Sequence, residues 1–209
     1  MNKEKYGNLF ILSGPSGVGK SALSEYALRS LPDLQFSVSY TTRAPRGGER
    51  DGVEYFFTDR RKFESLISDG EFLEWAKVHD NYYGTSRNHI DDFLRQGNDV
   101  ILDIDVQGAR SVKQTRPDAV TIFLLPPSFY ALRERLLRRS LDNTDVIEKR
   151  LKIAREEIRR FTEYDYLIVN DDLENAEREL AAIIVSTRCR MDARSNAAVS
   201  IMECFGGNI

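Results

Sequence analysis

Eight consecutive residues near the start of the chain have types and spacing that suit the binding of a nucleotide's phosphates. A segment of the pattern Gly-x-x-x-x-Gly-Lys-Ser/Thr forms a loop whose backbone N–H groups wrap phosphate oxygens, because glycine allows sharp turns and close approach. Lys20 would bring a positive charge to the β- and γ-phosphates, and the Ser21 hydroxyl is a ligand type that Mg²⁺ accepts. We therefore predict a nucleotide-phosphate site built from Gly14, Pro15, Ser16, Gly17, Val18, Gly19, Lys20 and Ser21.

Two aspartates at the end of another apolar run are candidates for the metal shell of that site. Asp103 and Asp105 stand two residues apart, so their side chains share a face while the chain remains extended. A phosphate-binding loop of this type needs a carboxylate that holds Mg²⁺ directly or through water. Asp103 is our candidate for that role, whereas capping of the next helix is the alternative role for Asp105.

A basic helical stretch supplies candidates for charge stabilisation. Arg135 and Arg139 lie four residues apart on one helix face, and Arg150 lies early in the following helix. Phosphoryl transfer spreads negative charge over the equatorial oxygens, which arginines on a closing segment can stabilise. We expect these three arginines to act catalytically from a lid, although a solvated helix face would show the same pattern.

A second group of polar residues could hold another phosphate and the base attached to it. Arg43 and Arg46 stand in a loop punctuated by Pro and Gly, where two guanidinium groups can converge on one phosphate. Tyr55 and Tyr83 could add phenolic donors, although tyrosines at the edge of a core would look the same. Glu74 has apolar neighbours and accepts hydrogen bonds without donating them, which suits a donor-rich base; a surface glutamate is the alternative.

Strands and helices must position these residues, and the hydrophobic pattern predicts an α/β fold. Buried parallel strands are expected at 9–13, 100–103, 120–125 and 166–169, with 36–39 as a possible fifth. Helical patterns at 21–31, 128–139, 146–162 and 173–189 separate them, which is typical of a parallel sheet with helices on both faces. The prediction is a P-loop parallel sheet core flanked by helices, with an inserted small mixed α+β lobe and a helical lid.

The domain organisation follows from a break in this alternation, because the segment from about residue 40 to residue 94 is rich in Gly, Arg and Tyr. We expect a core of residues 1–38 and 96–190 with the lid at about 135–150, an inserted lobe of residues 39–95, and a tail of residues 191–209 with no assigned role.

Composition excludes some classes of partner. The chain has 209 residues, 41% hydrophobic and 30% charged, with a net charge of −3, which disfavours broad binding to nucleic acid or to an acidic membrane. No apolar run has the length needed to cross a bilayer, and the N-terminal residues lack a signal core. Two cysteines, Cys189 and Cys204, suit a reducing compartment, so we expect a cytoplasmic protein.

Several separated motifs together resemble the guanylate kinase family, whose members move a phosphoryl group from ATP to GMP. The resemblance extends from about residue 9 to residue 180 and rests on residues 14–21, Ser39 with Thr41-Thr42-Arg43-x-x-Arg46-x-x-Glu49, Glu74-Trp75-Ala76, residues 81–84, residues 101–105 with Gln107-Gly108, the lid arginines, and Val169-Asn170-Asp171-Asp172.

The resemblance implies a fold, an activity and a set of site residues. It implies phosphorylation of GMP, and of dGMP, by Mg²⁺-ATP, with ATP on residues 14–21 and near Asn170 and Asp171. Arg43, Arg46, Tyr55 and Tyr83 would hold the GMP phosphate, and Glu49 would arrange the arginines. Ser39, Glu74, Thr85 and Asp105 would surround guanine.

Base chemistry agrees with this assignment. Guanine presents donors at N1 and N2 that a carboxylate accepts, whereas adenine would leave Glu74 unpaired, and such sites discriminate by roughly 10⁴ or more. The chain departs from the family at Arg139-Ser140-Leu141, where Arg-Gly-Thr is usual, and because Ser140 lacks the backbone freedom of glycine, lid geometry or closure rate would differ.

Two other functions remain as alternatives. One is a guanylate-kinase-like interaction module that binds a phosphorylated partner without turnover, although such modules typically lose the P-loop chemistry that is intact here. The other is a P-loop kinase of a phosphorylated sugar, which would not need Ser39, Glu74 and Thr85. The sequence leaves the choice between a monomer and a homo-oligomer open.

Overall fold

The computed structural model describes residues 6–78, 80–139 and 144–205. The strands of this part of the chain are β1 (Leu9–Ser13), β2 (Leu34–Phe36), β3 (Tyr40–Thr41), β4 (Phe56–Phe57), β5 (Phe72–Val78), β6 (Asn81–Ser86), β7 (Asp99–Asp103), β8 (Val120–Leu125) and β9 (Tyr166–Val169). The helices are α1 (Lys20–Ser30), α2 (Arg60–Ser68), α3 (Arg87–Arg95), α4 (Val106–Thr115), α5 (Phe129–Arg139), α6 (Thr144–Ile158), α7 (Leu173–Arg188) and α8 (Met191–Cys204), with a 3₁₀ turn at Phe161–Glu163.

The larger sheet has five parallel strands in the order β2-β7-β1-β8-β9. All five residues of the central strand β1 are buried, because helices cover both faces of the sheet. On one face, Leu23 of α1 and Leu180 of α7 pack with Phe10. On the other, Ile90 of α3 and Val112 of α4 pack with Ile11. The predicted fold class, a parallel α/β core, is confirmed.

The smaller sheet is mixed and has the order β4-β3-β6-β5. Its interior is aromatic: the ring of Phe63 in α2 lies 4.6 Å from that of Phe72 and 5.3 Å from that of Tyr82, centroid to centroid. The β5–β6 ladder shifts register between Phe72 and Glu74, so the strand carries a bulge at Leu73. Leu73 packs in the main core, which ties this sheet to the larger one.

Helices α5 and α6 pack against each other around a small apolar cluster of their own, formed by Leu132, Leu136, Ile147, Leu151 and Ala154. This hairpin lies at the position predicted for the lid. The turn at Ser140-Leu141, singled out from the sequence, lies outside the described residues.

Two predicted boundaries were wrong. The strand expected at 36–39 is β2, which ends at Phe36, because residues 37–39 connect the two sheets instead of extending the first. The helix expected at 146–162 ends at Ile158, where the chain tightens into the 3₁₀ turn that leads to β9. Across the described part of the chain, no helix combines the length and the apolar character that crossing a bilayer requires.

Candidate active site

The loop between β1 and α1 adopts a conformation that glycine alone tolerates at key points. Gly14 has φ 143° and Gly19 has φ 109°. A Cβ atom on Gly14 would stand 2.4 Å from the Leu124 carbonyl oxygen, and one on Gly19 would stand 2.5 Å from Nδ2 of Asn170. Both the backbone angles and the close packing therefore require glycine, and the loop leads into the N-terminus of α1, which favours an anion.

Lys20, Ser21 and Asp103 meet beside this loop. Nζ of Lys20 donates to the Gly14 carbonyl at 2.8 Å and lies 3.8 Å from Oδ1 of Asp103. The Ser21 hydroxyl donates to Oδ2 of the same carboxylate at 3.3 Å. Burial raises the pKa of Asp103, and Lys20 and Ser21 partly oppose that rise. The end of β7 thus presents a carboxylate to the loop, as the sequence predicted, while its role in metal binding stays a prediction.

Asn170 and Arg135 brace the loop from the far side. Nδ2 of buried Asn170 donates to the Val18 carbonyl at 2.8 Å, and the guanidinium of Arg135 donates to the carbonyls of Val18 and Asn170 at 3.2 and 2.8 Å. Both residues were predicted to act on the nucleotide itself. In this structure they hold the backbone that would wrap it, and their contacts with the nucleotide stay predictions.

A cleft of about 910 Å³ joins the loop to the smaller sheet. From the predicted site it is lined by Gly14, Ser16, Gly17, Gly19, Lys20, Ser21, Arg46, Tyr83, Asp103, Asp105 and Arg150. The cleft therefore brings together both halves of the predicted site, with the phosphate-binding loop on one wall and the arginine loop on the other.

Arg43, Arg46 and Glu49 form one cluster at the entrance to the smaller sheet. Glu49 accepts from the guanidinium of Arg43 at 2.8 Å and from the backbone N–H of Arg46 at 2.7 Å. This pairing lowers the pKa of Glu49. Arg43 also lies over the Tyr55 ring, which packs edge-on against Tyr83. The glutamate thus holds the two arginines in one loop conformation, with two phenols beside them.

Glu74 is buried and has one strong partner. The Thr85 hydroxyl donates to its Oε1 atom at 2.5 Å, and only 8% of the residue is exposed. Burial raises the pKa of Glu74 to about 7; the Thr85 hydrogen bond opposes the rise, and the charge of Asp105 adds to it. Burial away from water disfavours the charged form of this carboxylate, so further hydrogen-bond donors, such as those of a bound base, would stabilise it.

This pKa predicts a pH-dependent stability. The unfolded chain releases the Glu74 proton near pH 4.5 and the folded chain near 7, so the free energy of unfolding should fall as the pH rises from about 5 to 8. The shift corresponds to roughly 3 kcal/mol. Urea unfolding of the native protein and of Glu74→Gln at pH 5 and pH 8 checks this, and the native protein should lose more stability than the variant. Parallel losses would contradict it.

Asp105 has the capping role that the sequence left as its alternative. Its Oδ1 atom accepts from the backbone N–H groups of Gln107 and Gly108 at 3.0 and 2.8 Å, so it caps α4. It also lines the cleft, and a contact with guanine stays a prediction.

Some predicted residues are not brought to the cleft wall. Ser39, Asp171, Arg43, Tyr55, Glu74 and Thr85 are not among its lining residues, although the last four belong to the clusters described above. The side chain of Arg139 lies outside the described part of the structure, so its catalytic role stays a prediction.

Sequence reasoning missed Glu157. It lines the cleft with Arg150 and Ile153 of the same helix, and burial raises its pKa to about 7 against the opposing charge of Lys20. The spacing of these three residues, three and then four apart, places them on one face of α6 and was a usable signal. The sequence pattern shows that Glu157 shares a helix face with Arg150, but it does not show that this face lines the cleft.

A parallel sheet with a phosphate-binding loop after its central strand, facing a second cluster of arginines across one cleft, defines a P-loop nucleotide kinase.

Comparison with known proteins identifies the family within this class of P-loop nucleotide kinases. A profile described as guanylate kinase matches residues 6–187. The chain therefore belongs to the guanylate kinase family. It is 49% identical over 198 residues to a guanylate kinase of Symbiobacterium thermophilum, which covers 95% of this chain and 93% of the relative. It is 43% identical over 203 residues to one of Caldanaerobacter subterraneus subsp. tengcongensis, covering 97% and 98%.

A solved structure agrees with the fold. The crystal structure of guanylate kinase from Anaplasma phagocytophilum matches with a TM-score of 0.73 at 36% identity, covering 90% of this chain and 89% of that one. The similarity in fold and sequence supports an enzyme rather than an interaction module without turnover.

Proposed function

We propose that this protein phosphorylates GMP, and dGMP, with ATP as donor. The bond between the γ-phosphorus of ATP and its bridging oxygen breaks, and a bond from that phosphorus to an oxygen of the GMP phosphate forms, giving ADP and GDP by direct in-line transfer. The observation that carries the proposal is the cleft that joins Lys20 of the loop to Arg46 and Tyr83 of the lobe. A site with one phosphate binder on each wall suits transfer between two nucleotides.

The donor side is supported by the loop and its braces. The backbone from Gly14 to Gly19 would wrap the ATP phosphates, and Lys20 would hold charge at the β- and γ-positions. Arg150 and Glu157 of α6 line the same cleft, so movement of the α5–α6 hairpin would bring charge to the transferred group and exclude water. Water must be excluded because it would otherwise accept the phosphoryl group.

The oxygen atoms of Ser21 and Asp103 fit a magnesium ion. They lie within 3.3 Å of each other beside the loop, and hydroxyl and carboxylate oxygens are the donors that Mg²⁺ prefers. Ser21 and Asp103 would hold the ion, directly or through water. Once bound, Mg²⁺ would neutralise charge that develops on the phosphates.

The acceptor side is supported by the two clusters of the lobe. Arg43 and Arg46 would grip the GMP phosphate, with Tyr55 and Tyr83 as neutral donors that add no charge. Glu74 would accept from N1–H and N2–H of guanine. Deoxyribose should be tolerated because the proposed contacts reach only phosphate and base.

The test is ADP release with Mg-ATP across GMP, dGMP, AMP, UMP and CMP. We expect turnover with GMP and dGMP and at least about a thousandfold lower kcat/KM with AMP, because adenine lacks the N1–H and N2–H donors that Glu74 would accept from in guanine. Omitting Mg²⁺ should abolish turnover. Equal rates with AMP and GMP would contradict guanine recognition, and equal rates without an acceptor would indicate an ATPase.

A further inference from the structure

Gly108 stands in the first turn of α4 directly against the carboxylate of Glu74. A Cβ atom built on Gly108 would lie 2.9 Å from Oε2 of Glu74 and 3.3 Å from its Cδ atom. Carbon and oxygen atoms that are not bonded do not approach to 2.9 Å without strain, since their contact distance is well above 3 Å. A side chain at position 108 therefore requires the Glu74 carboxylate to move.

The backbone of Gly108 does not itself call for glycine. The residue lies within α4, and its φ is not in the positive range occupied by Gly14 and Gly19. Glycine inside a helix costs about 0.5–1 kcal/mol relative to alanine. Helix conformation therefore gives no reason for glycine at this position, and the close contact that a Cβ atom would make is with the Glu74 carboxylate.

Glu74 cannot easily yield. The Thr85 hydroxyl holds its Oε1 atom at 2.5 Å, while its other oxygen, Oε2, is the one that lies against Gly108. The preceding residue, Leu73, is anchored in the main core at the bulge of β5. With only 8% of Glu74 exposed, a displaced carboxylate would lose the Thr85 hydrogen bond or would leave its place in the lobe.

We propose that Gly108 is a positioning residue that sets the place of the Glu74 carboxylate and thereby the selection of guanine over adenine. The inference rests on the proposed function, since it assumes that Glu74 reads the base. Gly108 also gives its backbone N–H to Asp105 at 2.8 Å, so one turn of α4 orders both carboxylates that would face guanine.

The test is Gly108→Ala, assayed with GMP and with AMP. We expect kcat/KM for GMP to fall at least tenfold, mainly through KM, with a smaller change for AMP and with KM for ATP within twofold of the native value. The unfolding midpoint should stay level or rise, because alanine favours the helix. Ser111→Ala, an exposed change on the same helix, is the matched control and should leave both substrates unaffected.

A double-mutant cycle separates positioning from simple disruption of the helix. In the Glu74→Ala background the clash is gone, so adding Gly108→Ala should cause no further loss in GMP affinity. The chain has a single tryptophan, Trp75, next to Glu74, and its emission can report GMP binding where turnover is too slow to measure. An equal loss in both backgrounds would overturn the proposal.

Other outcomes of these experiments also support or overturn the proposal. If Gly108→Ala alone fails to fold, recovery of folding in the Glu74→Ala background supports the clash, and failure there too overturns it. A native protein that phosphorylates GMP while Gly108→Ala does so equally well overturns only this inference. A native protein that binds GMP in the tryptophan assay but does not phosphorylate it overturns the proposed function, and the binding cycle still tests Gly108.

Discussion

Replacing Lys20 with alanine is expected to lower kcat about a thousandfold while GMP affinity changes by less than about threefold. The Lys20 ammonium would meet charge that builds on the β- and γ-phosphates, and removing one such preorganised group typically costs 10²–10³ in kcat. GMP affinity should survive because its proposed contacts, Arg43 and Glu74, belong to the lobe.

The measurement is steady-state ADP release together with GMP binding followed by the emission of Trp75. Lys20→Met is a second variant, because it keeps most of the side-chain volume while removing the ammonium group and its hydrogen bond to Gly14. Lys62→Ala, an exposed lysine on α2, is the matched control and should behave like the native protein. A kcat within tenfold of the native value in both Lys20 variants would remove this lysine from the donor site.

Replacing Glu74 with glutamine is expected to lower kcat/KM for GMP about a hundredfold and to narrow the preference for GMP over AMP by a similar factor. The amide keeps one acceptor but places an NH₂ donor opposite a donor of guanine, and an unpaired buried polar group costs 1–3 kcal/mol or more. Thr85 would still have an acceptor in the amide oxygen, so the fold should tolerate the change.

The matched control is Glu71→Gln, three residues away, whose carboxylate pairs with Asn88 outside the cleft. It should leave both substrates unaffected. A GMP/AMP ratio that Glu74→Gln does not change would exclude Glu74 from base recognition. The pH dependence offers a further check, because GMP affinity in the native protein should weaken as the pH falls below about 7 and Glu74 takes up its proton.

The main sheet was predictable because its signals are local. Each strand is a short apolar run, and burial on both faces makes such runs conspicuous in the sequence. The two boundaries that were wrong, at Phe36 and Ile158, lie where the chain changes direction to meet a distant element. The residue at which a strand or helix ends depends on the element against which the following segment packs, and the local residue pattern does not contain that information.

In the candidate site, too, local features could be predicted from the sequence and contacts between distant residues could not. The loop containing Lys20 and Ser21 could be recognised from eight neighbouring residues, whereas the place of Glu157 on the cleft and the contact of Gly108 with Glu74 depend on residues far away in the chain. Arg135 shows the intermediate case. Its type predicted a catalytic lid arginine, which stays a prediction, and the structure adds hydrogen bonds to the carbonyls of Val18 and Asn170 that no spacing rule predicts.

The sequence by itself predicted a phosphate-binding loop, the parallel α/β class that the structure confirms, and an arginine-rich lobe, because each depends on residues that are close in the chain. The tertiary structure decided how the two halves face each other. It placed Arg46 and Tyr83 on the same cleft as Lys20, it buried Glu74 against Thr85, and it brought α4 so close that a Cβ atom at position 108 would lie 2.9 Å from the Glu74 carboxylate. These features arise where separate elements pack together. Burial and contact distance are properties of the folded chain and cannot be read from the order of its residues.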